Sequence, residues 1–67
     1  MKPGDLYLVT SATAGWSEGG QKWIFISEGA VAMICSQKST LTLYVLVNGQ
    51  KLWAYSQRFH ESTERLI

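Results

Sequence analysis

The chain has 67 residues and a formal net charge of +1, which allows one small domain, residues 1–67, and no second one. A single cysteine and a single histidine exclude an internal disulfide and a four-ligand Cys/His zinc site. The longest apolar run, residues 30–35, is too short for a transmembrane helix. The pI of 7.9 is below the value of about 9 that is typical of dedicated nucleic-acid-binding domains.

Strand-forming residues dominate the chain. Runs of β-branched and aromatic residues predict five strands, at residues 5–10, 22–27, 30–36, 41–47 and 51–55. Small residues and glycines after the first run predict a long loop over residues 11–20. Residues 56–60 predict a short helical turn, and residues 63–67 leave room for a last short strand. Short strands joined by tight turns favour an all-β fold, a small antiparallel barrel of about five strands with a long loop after strand one.

The strongest local signal is the pair Asn48-Gly49 between two apolar runs. Asn-Gly suits a two-residue type I′ turn, because both central residues of that turn need a positive φ. Such a turn places Tyr44 opposite Trp53 and divides the hairpin into two faces. One face is aliphatic and is predicted to enter the core: Leu41, Leu43, Val45, Leu52 and Ala54. The other face is mainly aromatic and polar: Thr42, Tyr44, Leu46, Lys51, Trp53 and Tyr55.

The predicted strand at residues 22–27 contains four consecutive apolar residues, Trp23, Ile24, Phe25 and Ile26. Because polar and apolar residues do not alternate there, we expect the strand either to be buried on both faces or to lie in a contact. The polarity pattern does not choose between these two alternatives.

The start and the C-terminal third of the chain carry a family resemblance. A hydrophobic strand, a short Gly turn and an aromatic strand fill residues 44–55, and an acidic-plus-aliphatic end occupies residues 64–67. The chain also enters its first strand through Pro-Gly-Asp-Leu at residues 3–6. This arrangement resembles the small SH3-like, or KOW-like, barrel proteins of tailed phages. The resemblance implies a non-enzymatic binding protein or a virion-associated protein.

Two features depart from SH3 patterns. The Ser/Ala/Gly stretch that contains Trp16 is not part of the phage-protein pattern. The acidic cluster and the Ala-Leu-Tyr-Asp-Tyr run of eukaryotic signalling SH3 domains are also absent, so the resemblance does not imply recognition of proline-rich peptides.

The main candidate binding residues are Tyr44, Trp53 and Tyr55 on the aromatic hairpin face, with Lys51 and Arg58 at its edge. Three interpretations of this face stay open. The rings form a recognition patch, or Tyr44 and Trp53 form a cross-strand pair that only stabilises the sheet, by about 0.2–1 kcal/mol. In the third, the face is covered by the long loop or by a second copy of the chain.

Trp16 is a further candidate, because it lies among small residues in the predicted loop and has no local packing partner. Tryptophan is enriched at binding hot spots, so Trp16 is a candidate anchor for a partner. The alternative is that the ring folds back over the barrel.

Catalytic and metal chemistry find little support. His60 is the single histidine, and no Gly-x-Ser-x-Gly elbow accompanies it. The segment His60-Glu61-Ser62-Thr63-Glu64 departs from the zinc motif His-Glu-x-x-His, because Glu64 stands where the second histidine is needed. Cys35 ends an apolar run without a cationic neighbour, so we expect it to pack as a small apolar side chain. We therefore predict no catalytic residues, no metal site and no cofactor.

The preferred function is protein–protein interaction through the aromatic hairpin face and the long loop, with a host or virion protein as the partner. A KOW-like nucleic-acid binder is the alternative, with bases stacked on Trp53 and Tyr44 and phosphates held by Lys51, Arg58 and Lys22. The near-neutral charge argues against it.

A third hypothesis is a homo-oligomeric structural subunit, and an enzyme ranks last. No membrane association is predicted. The lone thiol and the absence of an export segment favour the cytoplasm, which is the host cytoplasm for a phage protein.

Overall fold

Seven strands and one short helix make up the computed structural model, which describes residues 2–17, 19 and 22–66. In chain order they are β1 (Leu6–Val9), β2 (Thr13–Ser17), β3 (Trp23–Ile26), β4 (Val31–Gln37), β5 (Thr42–Val47), β6 (Gln50–Tyr55), α1 (Ser56–Ser62) and β7 (Thr63–Arg65). The strands form one sheet in the order β3-β2-β6-β5-β4-β1-β7, and all neighbours are antiparallel. The sheet curls around its core as a half-barrel, which confirms the all-β prediction.

The β5–β6 hairpin has the register predicted from its turn. Tyr44 lies opposite Trp53, and Val47 lies opposite Gln50. The turn residues Asn48 and Gly49 have φ values of +53° and +75°, the positive values that a type I′ turn requires. A two-residue sequence signal therefore determines which face of this hairpin enters the core.

The core lies on the concave side of the sheet and is filled by alternate residues of the strands. Its buried members are Tyr7, Val9, Ile26, Ala32, Ile34, Leu43, Val45, Val47, Leu52, Ala54 and Phe59. Of the five residues predicted for the aliphatic face, Leu41 is the exception, because it is 70% exposed. It lies in the turn before β5, where the alternation of the strand does not apply.

The predicted loop at residues 11–20 is wrong over half of its length, because β2 lies within it. Gly15 of β2 is buried, and the strand pairs with β3 on one side and with β6 on the other. Glu18 and Gly20 of the predicted loop lie outside the described residues. Strand β7 is a further addition, in the segment 63–67 where the sequence left room for a last strand, so the sheet has seven strands and not the five predicted. Ile67 of that segment lies outside the described residues.

Strand β3 is buried on one face only. Ile26 is 2% exposed and Ile24 packs partly against the core, whereas Trp23 is 45% and Phe25 is 79% exposed. The expectation that β3 is buried on both faces is therefore wrong for the single chain. The other expectation, that this strand lies in a contact, stays a prediction.

Helix α1 covers one end of the half-barrel through Phe59, its single buried residue. The Phe59 ring packs edge-to-face on the Tyr7 ring, with centroids 5.6 Å apart. The Thr63 hydroxyl donates a 2.6 Å hydrogen bond to the Phe59 carbonyl, which gives one of the last helical carbonyls a partner. No helix in the described part of the chain is long and apolar enough to cross a membrane.

The first testable prediction concerns Phe59. We expect Phe59→Ala to lower the free energy of unfolding by about 3–5 kcal/mol, since it removes a fully buried ring. A domain of this size is typically stable by only about 3–10 kcal/mol, so urea denaturation followed by tryptophan fluorescence should show a partly unfolded variant. His60→Ala, at the exposed neighbouring position, is the control and should change the value by less than about 0.5 kcal/mol. Equal stability of the two variants would contradict this account of the core.

Candidate interaction surface

A row of four aromatic rings crosses the outer face of the sheet. Tyr44 on β5 lies opposite Trp53 on β6, Trp53 lies opposite Trp16 on β2, and Trp16 lies opposite Trp23 on β3. Tyr55 and Phe25 lie two residues from Trp53 and Trp23 and therefore share this face. We call these six residues the aromatic surface: Trp16, Trp23, Phe25, Tyr44, Trp53 and Tyr55.

Trp16 is at the centre of the aromatic surface. Its ring centroid is 4.6 Å from that of Trp23, 5.0 Å from that of Tyr55 and 5.7 Å from that of Trp53. The contacts with Trp23 and Tyr55 are edge-to-face, which is a favoured geometry for aromatic pairs. Trp16 is therefore a half-buried strand residue beside the hairpin rings. It does not lie over them as a lid.

Trp53 is held in place by a hydrogen bond as well as by packing. Its indole Nε1–H donates to the carbonyl oxygen of Ser17 at 3.2 Å, and its side chain is half-buried. The more exposed rings are at the margins, since Tyr55 is 46% exposed and Phe25 and Trp23 lie on the outermost strand. The aromatic surface thus has a fixed centre and exposed margins.

Two lysines lie over the Tyr44 end of the aromatic surface. Lys51 Nζ is 4.9 Å from the Tyr44 ring centroid, and Lys38 Nζ is 5.5 Å from it and 5.9 Å from the Trp53 centroid. Lys38 also donates a 3.3 Å hydrogen bond to the Tyr44 hydroxyl. These distances are within cation–π range, so this end combines positive charge with ring faces.

Arg58 lies at the opposite side, on α1. With Trp23 and Phe25 it lines a cleft of about 350 Å³, which Thr13 and Ala14 of β2 also line. With Tyr55 and Leu41 it lines a second cleft, of about 490 Å³. Arg58 thus borders the exposed margin of the aromatic surface.

The structure brings together five of the six predicted site residues: Trp16, Tyr44, Lys51, Trp53 and Tyr55. The sixth, Arg58, lies beside the margin of the aromatic surface. Sequence reasoning missed Trp23, Phe25 and Lys38 as members of the site. The signal for the first two was incomplete: a strand without polar residues exposes apolar side chains if only one face is covered, but the four apolar residues do not say whether that is so. Lys38 had no comparable signal, since its position depends on the bulge between Ile34 and Ser36.

The residues weighed for catalytic or metal chemistry are not members of the aromatic surface. His60 is exposed on α1, and the Cys35 thiol is free and half-buried on β4. Within the described residues, no group of three or more His, Cys, Asp or Glu side chains is placed to hold a metal ion.

Comparison of the chain with protein-family models, with curated proteins and with solved structures finds no match. The functional conclusion therefore depends on the geometry of the chain itself.

The second testable prediction concerns the close approach of β2 to β6. A Cβ added at Gly15 would lie 3.0 Å from the Trp53 carbonyl oxygen, which is backbone and cannot move freely. We expect Gly15→Ala to cost about 1–3 kcal/mol of stability and to weaken the near-ultraviolet circular dichroism of the packed tryptophans. Ala14→Ser also adds one heavy atom to β2, but on the outer face, and should leave both quantities nearly unchanged. Full stability of Gly15→Ala would contradict the β2–β6 contact.

Proposed function

We propose that this chain is a non-enzymatic binding protein that recognises a protein partner through the aromatic surface. The observation that carries the proposal is the register of four rings across four strands, with Tyr55 and Phe25 exposed beside them. Tryptophan and tyrosine are the residues most enriched at protein-binding hot spots. An exposed apolar patch of several rings is typical of an interaction site.

The fixed geometry of the rings favours binding. Trp53 is held by its hydrogen bond to Ser17, and Trp16 is held by rings on three sides. Ordering a mobile side chain at an interface costs about 0.5–1.5 kcal/mol. Rings that are already ordered in the free protein avoid most of that cost.

We further propose that the half-barrel is an SH3-like barrel related to those of tailed-phage proteins, with a host or virion protein as the partner and the host cytoplasm as the location. The support is the resemblance of residues 3–6, 44–55 and 64–67 to such proteins. The arrangement of the end of the chain agrees with it, because α1 follows β6 directly and β7 then pairs with β1.

Nucleic-acid binding is the second candidate function, and one observation favours it. Lys38 and Lys51 lie over the Tyr44 ring, and Lys22 precedes Trp23 at the other end of the row. Stacking rings beside cations are what single-stranded nucleic acids require. The net charge of +1 disfavours this function, since few phosphates would be neutralised at once.

The third testable prediction separates these two functions. A single-stranded oligothymidylate of about 15 nucleotides, long enough for one small barrel, should cause no saturable quenching of tryptophan fluorescence. Saturable quenching that weakens with salt, with a log–log slope near −2 for three lysines at about −0.7 each, would establish the nucleic-acid function instead. In that case Lys51→Gln should weaken binding, whereas Arg65→Gln, on β7 at the opposite edge of the sheet from β3, removes the same charge and should not.

The fourth testable prediction tests the protein-binding surface. Trp53 is a poor probe, because its ring also supports the sheet; Tyr55 is better, because it is 46% exposed. A partner isolated from the source cells on the immobilised wild-type chain should bind Tyr55→Ser at least about tenfold more weakly in calorimetric titration, as expected for a hot-spot ring. The affinity of the wild type should change little with salt, because the surface is mainly apolar.

The matched control is Leu66→Ser, which removes a side chain that is also 46% exposed but lies after β7. Its affinity should stay within about twofold of the wild type, as expected for a residue outside the hot spot. Equal affinity of Tyr55→Ser and Leu66→Ser, with both variants folded, would overturn the assignment of the aromatic surface.

A further inference from the structure

Strand β3 is the last strand of the sheet on its side, and within the described residues no strand pairs with its outer edge. Ser17 N donates to the Lys22 carbonyl oxygen at 2.9 Å, so this pair is hydrogen-bonded across β2 and β3. Hydrogen-bonded and non-hydrogen-bonded pairs alternate along an antiparallel ladder. Ile24 therefore directs its backbone groups towards β2, and Trp23 and Phe25 direct theirs to the open edge.

The open edge is also apolar. All four residues of β3 are hydrophobic, and the two with outward backbone groups, Trp23 and Phe25, are 45% and 79% exposed. Edge strands in natural proteins are usually protected by charges, prolines or bulges. The opposite edge of this sheet shows that protection, because β7 contains Glu64 and Arg65. Strand β3 itself contains no charge, proline or bulge, and Lys22 lies just before it, so its edge has the character of a pairing site.

We propose that β3 pairs antiparallel with β3 of a second copy of this chain, about a two-fold axis at Ile24. In this register Trp23 lies opposite Phe25 of the second copy, and Phe25 lies opposite Trp23 of the second copy. Both pairs occupy hydrogen-bonding positions and exchange two hydrogen bonds each, so all outward backbone groups of β3 gain a partner. The two sheets become one sheet across the axis.

The side chains select a second copy as the occupant. Directly opposite residues of an antiparallel pair point to the same face. Trp23 and Phe25 share the outer face, so aromatic rings meet aromatic rings there, while Ile24 meets its own copy on the inner face. Lys22 lies opposite Ile26 of the second copy, so the register places no like charges opposite each other. The strand is thus its own complement in hydrogen bonding, and the register places apolar residues opposite apolar residues at Trp23, Ile24 and Phe25.

The small surface area that the β3–β3 pairing can bury limits the affinity of the dimer. The pairing covers a four-residue strand and two exposed rings per copy. An aromatic side chain buries about 150–250 Å² in full, so partly exposed rings keep the interface below the roughly 1,000 Å² of a stable complex. The dimer is therefore weak and reversible, and its detection requires a concentration series that reaches about 1 mM, where a contact worth about 4 kcal/mol is half-formed.

Disulfide trapping tests the register. Ile24 meets its own copy at a non-hydrogen-bonded position, where Cα atoms are about 4.5 Å apart, within the range of disulfides. In a Cys35→Ser background, which removes the native thiol, Ile24→Cys should form a covalent dimer in a glutathione buffer, seen on a non-reducing gel. Val31→Cys, at a 47% exposed position on β4, is the matched control and should stay monomeric. Equal dimer yields from the two variants would overturn the proposal.

Light scattering on the wild-type chain tests the contact without engineered cysteines. Its mean mass should rise with concentration from 7.5 kDa towards twice that value. Phe25→Lys places a charge on the open edge and should keep the mass at that of one chain, whereas Val31→Lys should behave as the wild type. A wild-type mass that stays at 7.5 kDa up to about 1 mM, the range of a weak contact, would overturn the proposal, as would the same rise in Phe25→Lys.

The outcome is separable from that of the protein-binding proposal. Tyr55 lies on β6 and has no place in the β3 edge contact, so Tyr55→Ser should retain the concentration dependence of the wild type. Loss of self-association in Tyr55→Ser would show a contact through the Tyr55 margin of the aromatic surface and would overturn the edge pairing.

Discussion

The register of the β5–β6 hairpin controls how side chains are distributed over the whole sheet. Side chains alternate with a period of two, so a slip of one residue would exchange the core and the aromatic surface. The positive φ values of Asn48 and Gly49 fix the turn length and hence the register. Strand β4 pairs with one side of this hairpin and β2 pairs with the other, so the alternation of the hairpin extends to both neighbours, on β4 as far as the bulge between Ile34 and Ser36. A chain with one cysteine has no internal disulfide, so its core is held together by packing and depends on this alternation of side chains.

The aromatic surface results from a second constraint, the close approach of β2 to β6 at Gly15. A side chain there would meet the Trp53 backbone, so the absence of a Cβ allows Trp16 to lie beside Trp53. The hairpin alone brings two rings together, and β2 and β3 extend this pair to a row across four strands. The central rings stabilise the sheet by packing on one another, and the marginal rings remain exposed. The central rings therefore stabilise the sheet, and the exposed rings at the margins are the part of the surface that we propose for recognition.

The predictions from sequence succeeded where the controlling interaction is local. The Asn48-Gly49 turn involves adjacent residues, and it correctly gave the register and the inner residues of β5 and β6. Strand β2 was missed because Thr13–Ser17 contains small residues with little strand preference, and it becomes a strand through pairing with β6, which lies far along the chain. The exposure of Trp23 and Phe25 was undecided for a related reason: four apolar residues in succession do not reveal which face is covered. Leu41 was misplaced because alternation was extended into a turn.

The two edges of the sheet differ in charge, and this difference determines where a second strand can pair. At the β7 edge, Arg65 forms a 3.6 Å ion pair with Asp5, and charged side chains discourage pairing with other strands. At the β3 edge the row of rings reaches the end of the sheet, and the four residues of β3 contain no charge. Pairing there would join two aromatic surfaces on one continuous sheet face and would leave Tyr55, on β6 two strands from the contact, outside it in each copy. Two linked surfaces bind a bivalent partner with higher avidity than either surface alone. A weak contact at β3 would then strengthen recognition at Tyr55 without any new contact at Tyr55 itself.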